Sequence, residues 1–164
     1  MSTLPEPWLR GPIEGVPAHL MPVFHSFAQV REDLALHTAG LSNEQVWRRV
    51  EPLASLGFQL RHIAGSVDRL ITYLTGSELS AAQLTALKQE PAPGASLAEL
   101  LAEIDASLGQ AEVRIRAIPA AALYEPRFIG KKRLPSTVLG LLVHVAEHTQ
   151  RHVGQAIATA KLAR

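Results

Sequence analysis

The stretch SLGFQLRHIAGSVDRLITYLTG, residues 55–76, decides the fold of this 164-residue chain. Its apolar residues recur at alternating steps of four and three, and Gly76 closes the series. This spacing keeps one face of a helix turned to a core, so it predicts a long amphipathic helix over about 54–75. The apolar positions of the series are Leu56, Leu60, Ile63, Val67, Leu70 and Leu74.

Three other segments have the same helical spacing. They cover about 22–39, 96–118 and 136 to near the C-terminus, and the third long helix opens with the capping box Ser-Leu-Ala-Glu. Two shorter segments, 42–49 and 80–90, begin Ser-x-x-Gln, which predicts short helices. No segment alternates as a strand would. The sequence therefore predicts an all-α protein, a four-helix bundle with short connecting helices.

Domain organisation and partners follow from composition. Residues 1–17 are rich in Pro and Gly, so we expect an irregular N-terminal segment followed by a single domain over 18–164. This segment has no apolar run typical of a signal peptide, and no stretch is long enough to cross a bilayer. The expected protein is therefore cytoplasmic, with no membrane partner.

Charge and cysteine content exclude several classes. A net charge of +1, with the charges dispersed, does not indicate a nucleic-acid surface. The one basic run, 131–133, is interpreted as a solvated loop rather than a phosphate-binding one. The absence of cysteine excludes disulfides, thiolate zinc sites and a cysteine nucleophile.

Three histidines at intervals of four, His144, His148 and His152, suggest metal binding. Neighbours in this series lie about 6 Å apart along a helix, so two of them can share an ion. The outer two lie about 12 Å apart along the axis, which is too far when metal–nitrogen distances are near 2 Å. At most two of the three can therefore bind one ion, and a third ligand must come from another helix.

The choice of pair stays open at this point. The apolar series through Val138, Leu141 and Val145 continues into His148 and His152, which favours that pair. The alternative pair forms the motif His-x-x-Glu-His of the inverted zincins, but no acidic residue follows Glu147 to complete such a site. Histidines that only hydrogen-bond to each other, to a carboxylate or to water are a further alternative.

Taken together, three stretches resemble the DinB/YfiT-like superfamily of metal-binding four-helix proteins. They are GLSNEQVWRRV after the first helix, SLGFQLRHIAGSVDRLITYLTG, and LLVHVAEHTQRHVGQA with its His-x-x-x-His-x-Gly-Gln ending. The resemblance covers about 20–160. It implies a divalent-metal site formed by His62, His148 and His152, with zinc or nickel expected first, and a close approach of helices at Gly154. His144 would be a neighbour and not a ligand.

The resemblance also implies a function. Three histidine ligands with open positions are typical of catalytic rather than structural metal sites. Relatives include enzymes that transfer low-molecular-weight thiols such as bacillithiol or mycothiol to electrophiles, in detoxification or stress responses. We therefore expect a thiol S-transferase-like enzyme with a small-molecule substrate, and a homodimer is compatible with this. The alternatives are a metal-dependent hydrolase and a non-catalytic bundle that binds metal or a small ligand.

Overall fold

The computed structural model describes residues 4–164, and residues 1–3 of the expected irregular segment lie outside the described residues. The described chain is mostly helical, with one small antiparallel sheet. A 3₁₀ turn at Pro7–Leu9 precedes the first helix. The helices are α1 Met21–Thr38, α2 Asn43–Trp47, α3 Leu56–Leu74, α4 Ala81–Gln89, α5 Leu97–Arg116 and α6 Val138–Leu162, and the strands are β1 Pro126–Ile129 and β2 Leu134–Thr137.

The four long helices pack around one core. Helix α3 contacts both α5 and α6, and α1 contacts the same two helices. A single hydrophobic cluster includes side chains from all four, among them Phe27, Leu60, Leu108 and Leu141. None of the described helices combines the length and the apolarity that a membrane crossing requires.

Local capping sets the start of several helices. Ser42, Ser80 and Ser96 each accept a hydrogen bond from the backbone N–H three residues later, and the Gln or Glu at that position bonds back to the serine N–H. These reciprocal bonds satisfy donors that a helix otherwise leaves free. The two short connecting helices predicted from the Ser-x-x-Gln pattern are therefore confirmed as α2 and α4.

The apolar series of α3 is confirmed at every predicted position except Leu70. Ile71 is fully buried whereas Leu70 remains partly exposed, contrary to the predicted spacing. The two residues are about 100° apart on one broad apolar face. The positions of α5 and α6 around α3 decide which of them is covered.

The segment on either side of the basic run, which is interpreted as a loop, forms a β-hairpin. Strands β1 and β2 pair antiparallel from Pro126↔Thr137 to Ile129↔Leu134. Each strand has four residues, so any alternation of apolar and polar residues is too short to stand out, and the expectation of no strand is wrong. The basic run forms the turn and is exposed, as predicted.

Candidate metal centre

Three histidines from two helices meet beside the core. One ligand atom from each of His62, His148 and His152 lies within 4.8 Å of the others. His62 Nε2 and His148 Nε2 are 3.3 Å apart. The ring of His152 is 4.3 Å from that of His62 and 4.6 Å from that of His148, measured between centroids. The structure thus brings together the histidines named from the sequence.

The antiparallel packing of α3 and α6 accounts for the meeting. Gln59 of α3 contacts His152 of α6, and His62, one turn later on α3, contacts His148, one turn earlier on α6. Residue numbers therefore increase along α3 in the direction in which they decrease along α6. Histidines one turn apart on α6 then face the same short stretch of α3. Long-range packing therefore supplies the partner helix that the spacing on α6 requires.

The rotation of α6 differs from the sequence prediction. The buried row of α6 passes from Val145 through Thr149 and Val153, not through the two histidines. His148 and His152 lie one position to the side of this row. They are at the edge of the core and are partly exposed to solvent.

A buried carboxylate supports His62. Glu90, which is 4% exposed, accepts a hydrogen bond of 2.8 Å from Nδ1 of His62 and one of 2.7 Å from Arg69 Nη1. Burial works against ionisation of Glu90, but the bonds from His62 and Arg69 outweigh it and hold the pKa of this carboxyl below its usual value. Because Nδ1–H donates to Glu90, the lone pair of His62 is on Nε2, which faces His148.

The segment that contains Glu90 is fastened to α3. Arg61 donates to the backbone carbonyls of Gln89 and Ala92, and its guanidinium lies over the ring of Trp47. Gly65 leaves room for the buried ion pair, since a Cβ there would lie 2.7 Å from both Arg69 Nη1 and Glu90 Oε1. These contacts hold the carboxylate in place against His62.

His152 is supported in the same way by an amide. Its Nδ1 lies 2.8 Å from Gln59 Oε1, so Nδ1–H donates and the lone pair of His152 is on Nε2. Burial, together with the nearby His62 and His148, lowers the pKa of His152 to about 4. Burial, followed by the neighbouring His62, also lowers the pKa of His148. Both imidazoles are therefore neutral at pH 7, the form that binds metal.

The geometry of these side chains fits a metal ion. Two nitrogens held 2.0–2.1 Å from zinc at a tetrahedral angle lie about 3.3–3.4 Å apart, which matches the Nε2 atoms of His62 and His148. Within residues 4–164, Nδ1 of His148 is buried and has no hydrogen-bond partner. His148 is thus the one member of the cluster without a supporting bond at Nδ1.

His144 and Glu147 lie outside this cluster. The His144 side chain is 47% exposed, and its Nδ1 is 3.5 Å from Glu147 Oε2. Glu147 also pairs with Arg151, and this bond keeps the pKa of Glu147 below its usual value. Neither residue belongs to the three-histidine group, so the arrangement gives no support to the inverted zincin alternative.

Sequence reasoning missed Glu90 and Gln59. Gln59 precedes His62 by three residues and so lies on the same helix face, a signal that could have identified it. Glu90 follows a short helix, 28 residues after His62. Nothing local indicates its partner, because only the fold of α4 back onto α3 brings the two together.

Comparison with known proteins identifies the family. Comparison with curated protein sequences gives no match to this chain. The family model described as the DinB superfamily matches residues 26–156, well over half of the chain and including all three clustered histidines. With a helical fold and a histidine cluster that could hold a metal ion, the chain belongs to the DinB superfamily.

Proposed function

We propose that His62, His148 and His152 hold one divalent metal ion, zinc or nickel first, and that the protein transfers a low-molecular-weight thiol to an electrophilic small molecule. The observation that carries the proposal is the 3.3 Å separation of the two Nε2 atoms from different helices. It matches two ligands of a common ion. In this proposal, the helices α1, α3, α5 and α6 form the four-helix bundle of the family.

The ligand set supports a catalytic rather than a structural ion. The described residues bring three nitrogens together and no fourth metal-binding side chain, so positions remain for a small molecule. A divalent ion held there would act as a Lewis acid and favour the deprotonated form of a thiol at neutral pH. The partial exposure of His148 and His152 leaves a path from solvent.

The protein's own residues would position and tune the centre. Glu90 and Gln59 fix the ring orientation of His62 and His152 through their Nδ1 atoms. The negative charge of Glu90 makes His62 a stronger donor. In the overall reaction a sulfur–carbon bond forms, the leaving group departs from that carbon with the electron pair of its bond, and the thiol proton passes to solvent.

Thiol transfer is favoured over hydrolysis by one observation. A hydrolase that uses a carboxylate base needs that group near the ion, and the carboxylate that contacts the cluster, Glu90, is bonded to His62 and Arg69. Glu147 is paired with Arg151 on the exposed side of α6. Neither carboxylate is free to accept a proton from water at the centre.

The test measures conjugation by metal-loaded protein. The protein is loaded with zinc or nickel and mixed with a generic electrophile and a panel of thiols that includes bacillithiol and mycothiol. We expect thiol-dependent product above the rate with metal alone, and loss of this product in His148→Ala. His144→Ala, one turn away, is the matched control and keeps the activity.

Other outcomes separate the alternatives. Turnover of esters or amides with no thiol present would favour the hydrolase. Stoichiometric metal without either activity would favour a binding bundle. A protein that binds no metal under any loading condition would contradict the proposal as a whole.

A further inference from the structure

A cavity at one end of the helical packing lies away from the histidines. It has a volume of about 630 Å³ and opens between the C-terminal end of α3, the start of α4 and the hairpin. Sites for small organic molecules have volumes of roughly 300–1,000 Å³. The side chains that matter for its chemistry are Tyr73, Leu79, Leu84, Phe128, Lys131 and Arg133.

This cavity is separate from the candidate metal centre. Tyr73 follows His62 by 11 residues, which is about 16 Å along a helix axis. Helix α4 covers α3 between the two, with Gln83 bonded to Asp68 and Thr72. No histidine lines the cavity. A ligand here would not reach the three-histidine cluster.

Arg127 builds the wall of the cavity. Its guanidinium donates to the backbone carbonyls of Leu74 and Pro126 at 2.7 and 2.9 Å and to Glu125 Oε2 at 3.1 Å. These bonds fasten the hairpin to the end of α3. All three guanidinium nitrogens are engaged, and the charge is balanced by Glu125, so Arg127 is structural.

Two other cations face the cavity without a counter-ion. The Arg133 guanidinium lies 4.4 Å from the centroid of the Phe128 ring. Over residues 4–164, neither Arg133 nor Lys131 forms an ion pair with a carboxylate, and the lining carboxylate, Glu78, is bound to neither. Two unpaired cations at one mouth attract an anion.

Part of the cavity lining is apolar. Phe128 is 44% exposed and Leu84 is 41% exposed, so both leave apolar surface in water. Tyr73 adds a second aromatic ring from α3. An apolar body placed here would cover this surface and gain the corresponding transfer free energy.

We propose that this cavity binds a small organic acid with an aromatic body, whose carboxylate pairs with Lys131 and Arg133. The ring of the ligand lies against Phe128, Tyr73 and Leu84. Arg133, already stacked on Phe128, is positioned to contact both the carboxylate and the edge of an aromatic ring. The site is independent of metal binding and of the proposed transferase activity.

The experiment uses the full chain and 2-naphthoate as the probe. Titration calorimetry compares this carboxylate with the neutral 2-naphthalenemethanol of similar shape. We expect saturable binding of the carboxylate, at least about tenfold tighter than the alcohol, because only the anion gains charge-assisted hydrogen bonds. Equal affinity for the two probes, or no saturable binding, would overturn the proposal.

Variants in the exposed turn locate the site. The double variant Lys131→Gln with Arg133→Gln should weaken naphthoate binding by roughly tenfold or more. The matched control is Lys132→Gln, a cation of the same turn that does not line the cavity. Its affinity should stay within about twofold of the unmodified protein. An unchanged affinity in the double variant, or an equal loss in the control, would place the anion elsewhere.

Discussion

The interface between α3 and α6 has two halves of opposite chemistry. One half lies at the partly exposed edge, where Gln59 and His62 of α3 meet His148 and His152 of α6. The other half faces the core along the length of both helices and consists of buried apolar side chains. These side chains include Leu60, Ile63, Val67, Ile71, Leu141 and Val153.

The difference separates stability from function. Burial of the apolar half contributes about 25 cal/mol for each Å² removed from water. The histidine half gains little of this transfer free energy. Burial there disfavours the charged form of His152, and the pKa of its imidazole falls to about 4. Apolar residues at these positions would stabilise a metal-free fold more, and this supports the proposed metal site.

The largest expected effect is the loss of metal from the histidine half. His62→Ala, His148→Ala and His152→Ala should each reduce metal content from about one ion per chain to near zero, because two nitrogens do not hold the ion through purification. His144→Ala should keep its metal. Elemental analysis of the four purified variants gives the comparison. A His144 variant without metal beside a His152 variant with metal would reverse the ligand assignment.

The apolar half should respond in stability alone. Ile71→Ala removes a fully buried side chain and should lower the free energy of unfolding by about 2–5 kcal/mol, with metal content unchanged. Leu70→Ala is the matched control, and its loss should be smaller because Leu70 is partly exposed. Urea denaturation measures both. A larger loss at Leu70 would favour the apolar series predicted from the sequence over the packing in the structure.

Removing the charge behind His62 should weaken the metal centre without abolishing it. Glu90→Gln keeps an acceptor for Nδ1–H but loses the carboxylate, and we expect metal affinity to fall by roughly 10–100-fold. Competition with a chelating dye of known affinity measures this. Glu103→Gln, a change at an exposed carboxylate, serves as control. Equal affinities in the two variants would show that Glu90 only anchors α4.

Acid should destabilise the metal-free protein through its histidines first. Because folding lowers the pKa of His152 from 6.5 to about 4, the unfolded chain binds the proton more tightly. The stability that the neutral form of His152 gives the folded protein is complete above pH 6.5 and is lost progressively as the pH falls toward 4. Denaturation in chelator at several pH values measures the slope, and His152→Gln should reduce it. An identical slope in that variant would contradict the lowered pKa.

The smallest effect concerns two helical glycines. A Cβ at Gly154 would meet nothing within 4 Å, so the expected close helix approach at this position is wrong. Gly154→Ala should stabilise the protein by up to about 1 kcal/mol through helix propensity. Gly65→Ala should instead weaken metal binding, because its Cβ would press on Arg69 and Glu90. Thermal melts and metal titrations compare the pair, and equal behaviour would show that the Glu90 contact tolerates displacement.

The sequence by itself determined the helices, and together with the family resemblance it named the three histidines that cluster. Capping boxes at Ser42, Ser80 and Ser96 act within four residues, so each helix start is a local property. Helix geometry alone shows that at most two of the three histidines of α6 can bind the same ion. The order of the motifs along the chain gave the family resemblance, and the resemblance added His62 to the expected ligands.

Only the tertiary structure decided the surroundings of the site. The rotation of α6 depends on the helices packed around it, which is why Thr149 and Val153 take the core row and the histidines lie at its edge. The bond between Glu90 and His62 spans 28 residues and forms because polar contacts fold α4 back onto α3. No periodic pattern specifies such a contact, since it depends on where two separate segments meet.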